Sequence, residues 1–173
     1  MIIDGYLIKN FTDCSLQELT DILSWRNHED VRKNSFNSDI ISLENHLKYV
    51  KNLSHNQNAA YFLIYNHLNE ALGVISFMGI DGTKADVGYY KSIEKAAEKG
   101  LGVILLSLAA KAALYIEHNG GGLHFLVTEV FSFNIGSIKS IERAGYKEIP
   151  EKRRQIEKDG KVTDVLYYKL QLK

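Results

Sequence analysis

From Gly100 to Glu117 the chain reads as one helix that is apolar on most of its faces. A helix with water on one side carries an apolar stripe and a polar back, whereas one that is apolar nearly all round has to be buried. Any fold for this sequence must therefore wrap other elements around this segment. Its most apolar part, Val103 to Ile116, is interrupted by Ser107 and Lys111. It also falls short of the ~20 apolar residues a membrane span needs, so protein must cover it. Gly120-Gly121-Gly122 stops the helix and opens a buried strand over Leu123 to Val130.

The segments around it alternate in kind. Gly5–Lys9 reads as a short strand, and Thr12 and Ser15 offer N-caps for a helix from Leu16 to Asn27, with Leu19, Ile22, Leu23 and Trp25 at helical spacing. Ser42 caps a second helix over Leu43–Leu53, with Asn45 where a full capping box has Glu or Gln. Ala60–Tyr65, Leu72–Met78 and Ala85–Tyr90 follow as strands joined by short polar turns, an antiparallel meander. Asn134 begins a later helix that Ala144-Gly145 ends. Two last strands, Tyr146–Glu157 and Val162–Leu172, flank Asp159-Gly160, a strong hairpin cue. The order βααβββ, αβ, α, ββ predicts a single α+β domain over residues 1–173, with helices packed on a mixed sheet.

Composition narrows the partners. Lys plus Arg equals Asp plus Glu at 21 each, which argues against nucleic acid or an acidic membrane as the main partner. The single Cys14 allows no internal disulfide. Met1–Gly5 lacks the basic and apolar regions of a signal peptide, so a cytoplasmic location is expected. No metal site is expected.

Lys99-Gly100-Leu101-Gly102 stands just before the long apolar helix and shortly after a strand. A helix N-terminus offers free backbone N–H groups and a positive dipole end, which suit a pyrophosphate. Lys99 or Lys95 adds charge. Alone, a G-x-G is also an ordinary flexible helix entry. The strand–loop–helix resembles the GNAT superfamily of acyltransferases, whose pattern is Gln or Arg, two residues, Gly, one residue, then Gly or Ala. Ala97 departs from it at the first position. Asn134–Tyr146 resembles the superfamily's later motif, an Asn, a small residue three on, and a helix closing in Gly-Phe or Gly-Tyr. The resemblance implies a mixed, mostly antiparallel seven-stranded sheet with helices on both faces. It also implies acetyl-CoA as acyl donor, held by Tyr89, Tyr90, Lys99, Gly100, Leu101, Gly102, Val103, Asn134, Ser137 and Ser140. Late strands in this superfamily often pair into dimers.

Trp25–Arg32 and Ile41–Leu47, with Tyr61–Leu63, Leu72–Ser76 and Thr128–Val130, resemble one branch. These are the bacterial N-acetyltransferases of pseudaminic-acid biosynthesis, which acetylate the 4-amino group of a UDP-linked 4-amino-4,6-dideoxy sugar. That resemblance implies that Arg26 and His46 contact the nucleotide or its phosphates. It implies that Phe36, Tyr49 and Tyr90 wall a pocket for the sugar's methyl group, and that Ser76 and Glu129 stand near the amine and thioester. Glu129 is then the expected base, directly or through a water, with Ser76 positioning it. Backbone N–H near Tyr89–Tyr90 would polarise the thioester oxygen.

Plainer roles stay open on the residues alone. Arg26 and Asp30 are spaced as an i,i+4 ion pair, His46 fits a core or capping histidine, and Tyr49 and Tyr90 fit simple packing. Ser76 and Glu129 fit solvated or hydrogen-bonded strand positions. Ile141 replaces the Tyr with which the superfamily protonates the leaving thiolate. That departure keeps two other readings in view, a ribosomal-protein-type Nα-acetyltransferase and a catalytically silent acyl-CoA-binding domain.

Overall fold

The computed structural model describes residues 1–118 and 121–172; Gly120, expected to open the buried strand, lies outside them. In chain order the elements are β1 (Ile2–Ile3), β2 (Tyr6–Asn10), α1 (Leu16–Asn27), α2 (Glu29–Arg32), α3 (Leu43–Leu53), β3 (Ala59–Tyr65), β4 (Ala71–Met78) and β5 (Lys84–Lys91). Then come α4 (Leu101–Ala113), β6 (Glu117–His118), β7 (Gly121–Gly122), β8 (Phe125–Phe131), α5 (Ile135–Arg143), β9 (Lys147–Glu148), β10 (Arg154–Lys158) and β11 (Lys161–Gln171).

Among the described residues these form a nine-stranded sheet in the order β1-β2-β3-β4-β5-β8-β11-β10, with β9 beside β11, and β6 pairs with β7 in a separate two-stranded sheet. Every pair in the large sheet is antiparallel except β5 with β8. The expected sheet had seven strands. The excess over that number is the two-residue β1 and β9. The segment expected as one strand, Tyr146–Glu157, breaks because Pro150 has no N–H to donate and instead starts a 3-10 turn over Pro150–Lys152.

Side-chain alternation along the strands sorts the core into two layers. Phe62, Ile64, Ile75, Phe77, Ala85, Val87, Leu126 and Val130 face α4 and α5, and Leu101, Leu105, Leu106, Leu108 and Ala109 meet them. Leu63 and Val74 face the other way, against Phe11, Leu19, Ile22, Trp25, Val50 and Leu53 of the α1–α3 side. The apolar helix is thus central, as its composition requires. It ends at Ala113 rather than Glu117, because Leu114 and Tyr115 are exposed and the chain tightens through i−3 hydrogen bonds.

The predicted caps are formed. Ser15 and Glu18 make a full capping box at α1, and Ser42 accepts from Asn45 N–H at α3. Thr12 falls in a 3-10 turn instead. Glu18 also receives Lys9 and the Tyr65 hydroxyl, both at 2.8 Å, tying α1 to β2 and β3. Its burial raises its pKa, but the Lys9, Ser15 and Tyr65 hydrogen bonds outweigh that and hold it at about 2. No helix among the described residues is long and apolar enough to cross a membrane.

Candidate active site

Among the described residues, the parallel pair of the large sheet is also a short seam. β5 and β8 are in register only at Lys84↔Phe125, Ala85↔Leu126 and Asp86↔Val127. The Thr128 hydroxyl reaching the Val87 carbonyl at 2.9 Å is the last link. Beyond it β5 continues with β4 to Gly73↔Lys91, while β8 continues with β11 to Val165↔Phe131. The two strands therefore part, and one edge of β5 is left unpaired. Backbone groups alternate sides along a strand. Val87's carbonyl points towards β8 and Tyr90's towards Gly73 of β4, so the N–H of Tyr89 points into the gap. This narrows the expected oxyanion donor to Tyr89, because the Tyr90 backbone belongs to the β4 ladder.

On the α4–α5 side of the gap, Gly100 is the N-cap of α4 in the left-handed region, with open space where a Cβ would stand. No side chain caps this terminus and its first turn holds no acid, so the first N–H groups, at Leu101 and Gly102, lack intrahelical partners. Val103 N–H already donates to Gly100. Gly102 has a second task. A Cβ there would stand 2.6 Å from Ser140 Oγ and 3.3 Å from the Tyr89 ring, so its lack of a side chain lets α4, α5 and β5 meet. Lys99 is exposed at the loop, whereas Lys95 is engaged by Glu70 at 2.9 Å. Lys91, which sequence reasoning passed over, ties the loop by donating to the Ala96 and Glu98 carbonyls.

Asn134 is the N-cap of α5, its side chain accepting from Ser137 N–H at 3.2 Å. The Ser137 hydroxyl in turn meets the Tyr89 hydroxyl at 2.8 Å. Ser140 donates to the Gly136 carbonyl. Burial raises the Tyr89 pKa, against the Ser137 and Ser140 hydrogen bonds, so this phenol stays protonated across neutral pH. Ile141, one turn after Ser137, is 1% exposed and belongs to the core.

The other face of the gap is polar. Ser76 is buried beside Gly88, its cross-strand partner, where a Cβ would come within 2.8 Å of Ser76 Oγ. Glu129 lies on the same face, and so does Asp86, whose carboxyl burial raises with a contribution from the Glu129 charge. Both Glu129 oxygens are held by Arg154 of β10 at 2.9 Å. That pairing joins residues 25 positions apart and was not anticipated from sequence.

Arg26 donates to the Asn37 carbonyl at 2.8 Å, and its Nη1 is buried with no hydrogen-bond partner. The plainer alternative, an Arg26–Asp30 ion pair, is not formed: α1 ends at Asn27, and Asp30 pairs with Lys33 instead. Tyr49 meets Tyr61 edge-on at 5.6 Å, and Tyr61 and Tyr90 both lie within electrostatic reach of Arg26. Phe36 meets Phe131 at a tilt, with ring centroids 4.9 Å apart.

His46 is set apart from this group. It is 7% exposed and edge-on to Phe11 at 6.4 Å, and its Nε2 is buried with no hydrogen-bond partner. The ring packs as the core-histidine alternative expects, and the unpartnered Nε2 leaves the phosphate contact open. Burial lowers its pKa, against a smaller opposing contribution from the Leu19 backbone. A folded-state pKa below the unfolded one means the stabilisation is complete above pH ~6.5 and is lost as pH falls towards the folded value. The melting temperature should therefore drop on acidification below that point, and His46→Leu should flatten the drop. An unchanged slope in the variant would remove His46 as its source.

The model for the family described as "Acetyltransferase (GNAT) domain" matches residues 11–147. Two curated relatives are the acetyltransferases PseH of two Campylobacter jejuni strains. The one from serotype O:23/36 is 36% identical over 106 residues, 61% of this chain and 64% of its own length. The one from serotype O:2 is 32% identical over 109 residues, 63% of this chain and 66% of its own length. The match thus spans slightly under two thirds of either relative. Among solved structures, the Campylobacter jejuni N-acetyltransferase PseH superposes with a TM-score of 0.69 at 24% identity, covering 98% of this chain and 99% of that one. A Vibrio cholerae spermidine N-acetyltransferase in complex with CoA and spermine gives 0.82 at 17%, covering 98% and 97%. With the family match running from the end of β2 through α5, across the parted strands and both glycine- and asparagine-led helix starts, the chain belongs to the GNAT acetyltransferase family.

Proposed function

We propose that this chain is a single-domain, acetyl-CoA-dependent N-acetyltransferase that acetylates the 4-amino group of a UDP-linked 4-amino-4,6-dideoxy sugar. The observation that carries the reading is the parted β5–β8 seam, which has an anion-ready helix start on one face and Ser76, Glu129 and Arg26 on the other. The acid-free α4 start, the open left-handed Gly100 and exposed Lys99 fit a pyrophosphate. The free edge of β5 fits an extended amide-bearing arm, with Asn134, Ser137 and Ser140 along its other wall. Acetyl-CoA would supply there an activated thioester carbonyl and a thiolate leaving group of pKa about 8.5.

The chain's own residues account for the proton traffic. The attacking amine must be neutral, and as the C–N bond forms and the C–S bond breaks its proton passes to Glu129, with Ser76 holding the relay. Tyr89 N–H faces the carbonyl oxygen and stabilises the charge that builds on it. With Ile141 turned into the core, the Ser137–Tyr89 hydroxyl pair on that wall can serve as the proton source for the departing sulfur. Phe36, Tyr49, Tyr61 and Tyr90 give the acceptor an apolar wall, and Arg26 Nη1 a charged donor for a phosphate oxygen. The curated PseH relatives and the resemblance of Trp25–Arg32 and Ile41–Leu47 to the pseudaminic-acid branch favour this acceptor over a peptide or polyamine.

The test is thiol release from acetyl-CoA with three acceptors: the UDP-4-amino-4,6-dideoxy sugar, an N-terminal peptide and spermidine. Release only with the sugar nucleotide is expected. Faster release with either other amine would reassign the acceptor, and none with any amine would remove the enzymatic reading.

A further inference from the structure

Arg154 occupies the carboxylate that the mechanism needs. It grips Glu129 through Nε and Nη2, a two-point fork that is the strongest arrangement available to this pair. An acceptor amine arriving as an ammonium ion would therefore meet a cation already in place. Yet this guanidinium is not walled in. Its side chain is 47% exposed, and it lies over the Phe36 ring, 5.4 Å from the centroid. The next residue, Asn37, is the one Arg26 holds, and Arg26 carries the buried unpartnered Nη1. Two guanidiniums thus converge on residues 36–37. One lacks a partner for a buried donor, and the other sits on the candidate base.

We infer that Arg154 is a specificity-determining residue that releases Glu129 only to an acceptor carrying both an amine and a phosphate. The phosphate takes the Arg154 guanidinium, beside Arg26, and the ammonium takes the freed Glu129 carboxylate. One ion pair within the protein is replaced by two across the interface. A free amino sugar or a polyamine supplies the ammonium but nothing to receive Arg154, and so leaves two cations contending for one carboxylate. The inference rests on the sugar-nucleotide reading above and adds a mechanism by which that site rejects simpler amines.

The acceptor can be offered in two pieces. The 4-amino-4,6-dideoxy methyl glycoside, which has no diphosphate, is incubated with acetyl-CoA with and without added UDP, using the wild type, Arg154→Gln and Arg154→Lys. In the wild type, UDP should stimulate acetylation of the glycoside. In Arg154→Gln that stimulation should vanish, and kcat/KM for the intact sugar nucleotide should fall about ten- to hundredfold, mainly through KM. Arg154→Lys, which keeps the charge without the fork, should recover part of both effects. Equal stimulation in wild type and Arg154→Gln, or none in the wild type, would overturn the inference.

Calorimetric titration with UDP separates this from failure of the acceptor reading. If no sugar nucleotide is turned over, weaker UDP binding by Arg154→Gln still supports an Arg154–phosphate contact. Identical UDP affinity in both proteins, or no UDP binding by the wild type, refutes it. Circular dichroism melts of each variant show whether any change in binding is a change in folding.

Discussion

Glu129→Gln should lower kcat about 10²–10⁴-fold, the range by which a positioned general base contributes, while leaving the KM for acetyl-CoA nearly unchanged. The substitution is close to isosteric. The amide oxygen still accepts from Arg154, one of the two Arg154 bonds is lost, and β8 keeps its register with Tyr167 of β11. Folding should therefore survive. What disappears is the carboxylate on the polar face of the parted seam that the proposed mechanism uses as proton acceptor. If the amine had to lose its proton unaided, the variant's rate would climb with pH as the free amine fraction grew. The nearby Asp86 provides an internal comparison, since its carboxyl is on the same face and raised by burial. Asp86→Asn should alter the rate far less, because its Oδ2 is directed towards Gly79 at the closed end of the strand. A Glu129→Gln enzyme with wild-type kcat and pH profile would transfer the base role elsewhere.

The parts of this protein that depend on near neighbours in sequence were legible. α1 and α3 run over the expected residues because Ser15 and Ser42 cap them and their apolar spacing is helical. Asp159 and Gly160 adopt positive φ and close Lys158 against Lys161, as their residue types predict. α5 opens at Asn134 and stops at Gly145, again in positive φ. Ser76, Tyr89 and Glu129 lie on strands that the sequence pattern marked, β4, β5 and β8.

What it left out depends on contacts across strands that sequence separation hides. Arg154 reaches Glu129 only because β10 follows a proline break and pairs with β11, which pairs with β8. Gly102 reads as a flexible helix entry, yet the packing of Ser140 against it adds a structural demand. His46 matched a motif by position, but only three-dimensional packing shows its ring against Phe11 and Leu19. The short α2 and the loop to Ile41 carry no periodic pattern. Their shape comes from Arg26, Asn27, Arg32 and Lys158 each donating to a loop carbonyl.

Gly73→Ala should cost about 3 kcal/mol of stability, from backbone strain and overpacking together. In a chain of this size that lowers the melting temperature by roughly 6–12 °C. Gly73 sits in β4 at φ +152, just past the point where the β3–β4 register shifts and Leu72 bulges out. A Cβ there would stand 2.3 Å from the Tyr90 carbonyl oxygen and 2.9 Å from Lys91 Cα. Both are backbone atoms of β5 and cannot rotate away, so β4 and β5 must separate. The separation would fall at the end of β5 that carries Tyr89 N–H into the gap, and activity should fall with stability even below the melting transition. Gly100→Ala is the control, since φ is also positive but the space around it is open. It should cost only about 1 kcal/mol from the left-handed backbone and act chiefly on the KM for acetyl-CoA. Equal melting temperatures for the two variants would mean that β4 yields freely at Gly73, and the seam would then not be held by this close backbone approach.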